Sequence, residues 1–227
     1  VWDPVRRAYT ALPVLDSSPA GAVAIARTLD ERGGVAGGVV TQTGPQTYQH
    51  TAVVWQPRTL TPRQLPTGGA TDTFATDRNA HGMIVGWRIA VPGGVSTAVY
   101  WPTPHAQPVE LPGRVAFEVN DSGQIIGVRD LAGSPVVPFT AVMWEPRTGT
   151  VTDLGDFGLG SYVLALNASG RSAGYAVTEG SGQYHYTAGW WERPRDRGCG
   201  KHCPQATAGV GSPNAQGALS GERRIAA

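Results

Sequence analysis

The chain has 227 residues and a net charge of +1, from 18 Lys+Arg against 17 Asp+Glu. One Lys and seventeen Arg dispersed among the acids give no clustered phosphate-binding surface, which argues against a nucleic-acid partner. Only 15% of residues are charged while Gly (31) and Pro (18) are abundant, a composition of short strands joined by tight turns, and no apolar run is long enough for a membrane span.

Two motifs organise the chain. The first is Asn or Asp, two residues, Gly, three residues, Gly; it occurs five times, at Asp30/Gly33/Gly37, Asn79/Gly82/Gly86, Asn120/Gly123/Gly127, Asn167/Gly170/Gly174 and Asn214/Gly217/Gly221. The second is a Thr-Ala strand ending in Trp55, Trp101, Trp144 or Trp191, with a remnant at Val1-Trp2. A repeat of this length signals a propeller or solenoid, so one domain over 1–227 is expected.

In chain order, "VWDPVRRAYTALPVL" (1–15) reads as the last two strands, C and D, of a unit whose first half is elsewhere. The start at Val1 rather than Met is expected of a mature or trimmed form, and no signal-peptide pattern is read. Four complete units follow, at about 23–66, 73–112, 115–155 and 162–204. In the third, strand A is 115–119, B 124–129, C 139–144 and D 150–154. The A-to-B connection is a hairpin: the Asn side chain bonds amides two residues on, and Gly supplies the positive φ. The second Gly marks a place where two backbones approach too closely for a side chain. The C-terminal "VGSPNAQGALSGERRI" reads as strands A and B, so 208–227 and 1–15 together make a split fifth unit. The expected fold is an all-β, five-bladed β-propeller of four-stranded antiparallel blades, closed by pairing of the N- and C-terminal segments.

The segment 140–177, "TAVMWEPRTGTVTDLGDFGLGSYVLALNASGRSAGYAV", resembles the HAF repeat, a bacterial extracellular repeat with a His-Ala-Phe-like strand ending in Trp, an Asp-Leu-Gly segment and an Ile-Asn-x-x-Gly-x-x-x-Gly hairpin. The triplet here is Thr-Ala-Val or Thr-Ala-Gly, and Asp-Leu-Gly is intact only at Asp153-Leu154-Gly155. The resemblance implies a secreted or surface-exposed bacterial protein and brings no catalytic activity with it.

Cys199 and Cys203 in "CGKHC" are read as a disulfide closing a small loop, worth about 2 kcal/mol on the loop-entropy model. Free thiols, or a metal site with His202 as a third ligand, are the alternatives; no second His/Cys cluster completes a tetrahedral site, and no metal or cofactor is expected.

Function is sought on the face carrying the B-to-C and D-to-A loops, because variable loops on a constant scaffold are where binding lives. Tyr48, Trp87, Arg88, Arg129, Asp130, Tyr175, Tyr184 and His185 would supply aromatic platforms and charged hydrogen-bonders for a carbohydrate or a protein loop. The competing reading is that these aromatics pack between blades. The recurrent Trp residues are read as core rather than as a ring of ligand sites. Asp77 and Glu118, each two positions before a turn Asn, could hold a cation or form an acid/base pair if they face the channel from neighbouring blades; the competing reading is a solvated polar channel. The expected function is an extracellular binding module acting as a monomer; a glycan-cleaving enzyme using Asp77 and Glu118, or a spacer within a larger surface protein, are the alternatives.

Overall fold

The computed structural model describes residues 2–3, 7–133, 138–155, 159–180, 183–191 and 208–210. These residues contain strands and no helix: β1 (Trp2–Asp3), β2 (Ala8–Tyr9), β3 (Val23–Leu29), β4 (Val35–Gly44), β5 (Thr47–Trp55), β6 (Pro62–Gln64), β7 (Asp72–Arg78), β8 (Ile84–Ile89), β9 (Ser96–Trp101), β10 (Val109–Glu110), β11 (Val115–Val119), β12 (Ile125–Asp130), β13 (Phe139–Glu145), β14 (Thr150–Gly155), β15 (Ser161–Leu166), β16 (Ser172–Gly180), β17 (Gln183–Trp191) and β18 (Ala208–Val210). They form four antiparallel four-stranded sheets in simple sequence order, β3–β6, β7–β10, β11–β14 and β15–β18, plus the pair β1–β2. The inner strands β3, β7, β11 and β15 neighbour one another in turn.

The turn motif explains the inner hairpins. The Asn79 Oδ1 accepts the amides of His81 (3.1 Å) and Met83 (3.0 Å), and Asn167 does the same for Ser169 and Arg171. Gly33, Gly82, Gly123 and Gly170 hold φ between 79° and 85°, which a side chain would resist. The second glycine answers a different need. Each inner strand carries a β-bulge, between Ala26/Thr28, Ala75/Asp77, Ala116/Glu118 and Val163/Ala165. Opposite it, a Cβ on Gly37, Gly86, Gly127 or Gly174 would overlap the carbonyl oxygen of Ile25, Phe74, Val115 or Tyr162.

The core lies between sheets. Trp101 packs with Val54, Leu65 and Ala36 of the first sheet, Trp144 with Val85 and Leu111 of the second, and Trp191 with Met143 and Leu154 of the third. All four motif tryptophans, Trp55 included, are at most 1% exposed. The indole Nε1 of Trp101 donates to the Pro66 carbonyl (2.8 Å), just past the outer strand of the preceding sheet. Trp55 makes the same bond to Pro13 (2.7 Å), and Leu12, Val14 and Leu15 pack on the first sheet. Residues 12–15 therefore stand to the first sheet as Leu65-Pro66 stand to the second.

Two features differ from the sequence expectation. The outer strand of the fourth sheet is Ala208–Val210, paired with β17 through Trp191↔Ala208 and Gly189↔Val210, so this unit runs past 204 into the stretch assigned to the split unit. Its C-to-D connection is longer than in the other sheets, with sixteen residues between Trp191 and Ala208. Nor is a closed ring present among the described residues: β1 and β2 pair with each other through Trp2↔Tyr9, and 208–210 pair with β17 rather than with residues 1–15. Cys199, Cys203 and the repeat at Asn214 lie outside the described residues.

Candidate binding cleft on the loop face

In an antiparallel meander the A–B and C–D turns emerge at one end of each sheet and the B–C and D–A connections at the other. At this second end, between the second and third sheets, lie two adjoining clefts of about 370 and 350 Å³ that share Ser96, Arg114 and Asp130. Such volumes suit small-molecule recognition. The first cleft also has Phe139 of the third sheet and, from β15 of the fourth, Tyr162 in its wall; the second reaches Arg129.

Charge in this region is paired within the sheet. Arg114 Nε donates to Asp130 Oδ1 at 2.6 Å, a bond that raises the Arg114 pKa further, and Arg129 pairs with Asp153. Asp153 in turn accepts the Thr140 hydroxyl (3.3 Å) and the Gly155 amide (2.9 Å). The aromatic wall is continuous. Tyr162 lies 5.0 Å from Phe117 and 6.4 Å from Phe139, stacks on Tyr175 at 5.6 Å, and Tyr175 meets Tyr186 edge-on at 5.7 Å. Burial is the first cause that pushes the Tyr162 and Tyr175 hydroxyls above the ordinary tyrosine value, with each one's neighbouring tyrosine adding to it.

The sequence-derived candidates are spread over all four sheets. Tyr48 is exposed on β5. Trp87 stacks on Phe74 at 5.9 Å and meets His50 at 5.4 Å, between the first and second sheets, while His50 is held by Asp72 at 3.2 Å. Arg88 pairs with Glu110 at 2.5 Å and donates to the Gly68 carbonyl. Arg129 and Asp130 are brought together at the loop-face clefts. Tyr175 packs between aromatics, and Tyr184 and His185 are exposed on β17. Arg114, Phe139 and Tyr162 were not among the candidates; their signal is position, since each stands at the loop end of a strand.

Asp77 and Glu118 do something else. Asp77 Oδ2 accepts the Val119 amide (2.9 Å) and Glu118 Oε2 accepts the Leu166 amide (2.6 Å), so each carboxylate reaches across to the inner strand of the following sheet. Thr28 supplies a further hydrogen bond to Asp77. Burial raises both pKa values, and for Glu118 the negative charge of Asp77 adds to the rise. Neither residue lines the two loop-face clefts. Among the described residues, no three His, Cys, Asp or Glu side chains are grouped to hold a metal ion.

No protein-family model, curated protein or solved structure matches this chain.

Proposed function

We propose that this chain is a binding module that takes a glycan in the loop-face cleft between the second and third sheets. The observation that carries this reading is the pairing, in one cleft, of the aromatic wall of Phe139 and Tyr162 with the Arg114–Asp130 pair. Sugar rings offer C–H faces to aromatics and vicinal hydroxyls to a guanidinium–carboxylate pair, which presents donors and an acceptor together. A glycan array probed with the wild-type protein, Phe139→Ala and Arg114→Ala tests it. Hits lost in both variants support the reading; no glycan hit, or hits indifferent to both, sinks it and leaves a protein ligand or a spacer role.

The fold in which this cleft sits is proposed to be the five-bladed propeller, completed by residues 211–227 with 1–15. Support comes from the two open faces. Val54, Tyr100 and Met143 each pack on the following sheet, whereas Trp190, at the same repeat position, is 42% exposed. Val119 and Leu166 each pack on the preceding sheet, whereas Leu29, at the equivalent position, is 65% exposed. A fifth blade would cover both. Secretion or surface display in a bacterium follows from the HAF-repeat resemblance and is proposed on that ground alone. The glycan-cleaving alternative draws on the raised pKa values of Asp77 and Glu118. Both carboxylates already serve as acceptors for the neighbouring sheet, which favours a structural role.

A further inference from the structure

We propose a second binding site on the opposite, turn-bearing face, in the cleft between the third and fourth sheets, and assign it to a small zwitterion of the free α-amino acid class. The cleft has a volume of about 400 Å³. Its walls are the A–B turn of the third sheet (Ser122, Gln124), the C–D turn of the same sheet (Glu145, Arg147, Thr148) and the A–B turn of the fourth (Ser169).

Its floor is a buried polar pair. Gln124 is 7% exposed and Glu145 9%, and Gln124 Nε2 donates to Glu145 Oε1 at 3.1 Å. The other end of the Gln124 amide is fixed as well, because its Oε1 accepts Asn120 Nδ2 at 2.8 Å. Gly170 leaves room for this amide: a Cβ there would come within 2.6 Å of Gln124 Oε1. Placing a carboxylate at nine-tenths burial costs several kcal/mol before its partners offset it.

The repeat shows that the fold does not require this arrangement. The residue four after the turn Asn or Asp is Gly34, Met83 or Arg171 in the other sheets; the residue after the motif Trp is Gln56 or Pro102 in the first and second, and an acid, Asp3 or Glu192, after Trp2 and Trp191, so it is the pairing of an amide with the acid that is particular to the third. Only the third sheet sets an amide and a carboxylate at these two places among the described residues, and it is beside this pair that the cleft opens. The chemistry of the walls specifies the ligand. A buried carboxylate recognises an ammonium group, the Arg147 guanidinium on the exposed turn recognises a carboxylate, and the Ser122 hydroxyl serves either, while the Thr148 hydroxyl is engaged within its own turn with Glu145 and Thr150. Among the described residues no aromatic side chain lines the cleft, so it lacks the stacking platform of the loop-face site.

The test is calorimetric titration of the full chain with the common L-α-amino acids, alongside acetate, methylammonium and glucose. At least one amino acid should bind saturably, with acetate and methylammonium each at least about tenfold weaker. Glu145→Gln, which keeps the shape and can still accept from Gln124, and Arg147→Ala, on the exposed turn, should each weaken that binding at least about tenfold. Circular dichroism melts should show both variants folded; if Glu145→Gln fails to fold, Arg147→Ala alone carries the test. The proposal is overturned if no amino acid binds, if glucose binds as well as the best amino acid, or if Arg147→Ala binds like the wild type.

Discussion

Asn79 Nδ2 donates to the main-chain carbonyl of Asn120 at 3.0 Å, and Asn120 passes the same bond on to Asn167 at 3.1 Å. One side chain thus closes its own hairpin through its oxygen and fastens the next sheet through its nitrogen. Asp30 at the head of this series has no amide nitrogen to give. Its Oδ1 still accepts Arg32 and Gly34, but its Oδ2 is taken by Arg78 Nη2 at 2.9 Å, with the two side chains 4% and 13% exposed.

The Asp30–Arg78 pair is expected to be destabilising to break and cheaper to replace. Arg78→Met should lower unfolding free energy by about 3 kcal/mol, because it strands a buried carboxylate. Asp30→Asn added to Arg78→Met should recover much of that loss, since the turn bonds to Oδ1 remain. Urea unfolding of the single and double variants checks this; equal losses in both would refute it.

Gly127→Ala should cost about 3 kcal/mol or more, or prevent folding, because the added methyl meets the Val115 carbonyl across the bulge and the Trp144 ring as well. Gly133→Ala, where an added methyl meets nothing within 4 Å among the described residues, is the control for glycine chemistry alone: it bears the strain of a φ of +80°. Its loss should be clearly smaller in the same unfolding measurement.

Asp77 and Glu118 predict a direction of pH dependence. Both pKa values are raised in the folded chain, by burial first. The native state therefore holds more protons than the unfolded chain between the ordinary carboxylate range, about 4, and the raised values. Their contribution to stability is present below that window and is lost as pH rises through it. The urea midpoint of Asp77→Asn/Glu118→Gln, followed against pH, should fall less steeply across this window than that of the wild type. An unchanged slope would rule the effect out.

Trp101 and Trp144 hold equivalent positions with unequal bonding. Trp101 Nε1 donates to Pro66, whereas the buried Trp144 Nε1 has no hydrogen-bond partner among the described residues. Replacement by Phe should therefore cost about 1 kcal/mol more at 101 than at 144, the net worth of one hydrogen bond. Chemical denaturation of the two variants side by side measures the difference.

The hairpins and the Trp cores were legible because their causes are local: an Asx turn, a positive φ and an apolar strand ending in Trp. Even the second glycine announced a close backbone approach. What it could not announce was the bulge opposite, which inserts one residue and re-aims Asp77 and Glu118 at the next sheet's amides. The loop-face charges were legible as residues and not as pairs. Arg129 finds Asp153, and Arg88 finds Glu110, across an intervening strand, so each partnership depends on a register that spacing alone does not reveal. The outer strand at Ala208–Val210 was missed for a related reason: it follows a connection unlike that of its siblings.

The indole-to-carbonyl bonds Trp101–Pro66 and Trp55–Pro13 tie the end of one sheet to the third strand of the next. At these two junctions the cohesive unit is consequently out of phase with the hydrogen-bonded sheet, made of a Leu-Pro terminus and the Trp strand that follows it. A duplication or exchange of either unit during evolution would have to keep these two pieces together, so viable crossovers there should fall inside a sheet, between its Trp strand and its outer strand, rather than at the seam between sheets.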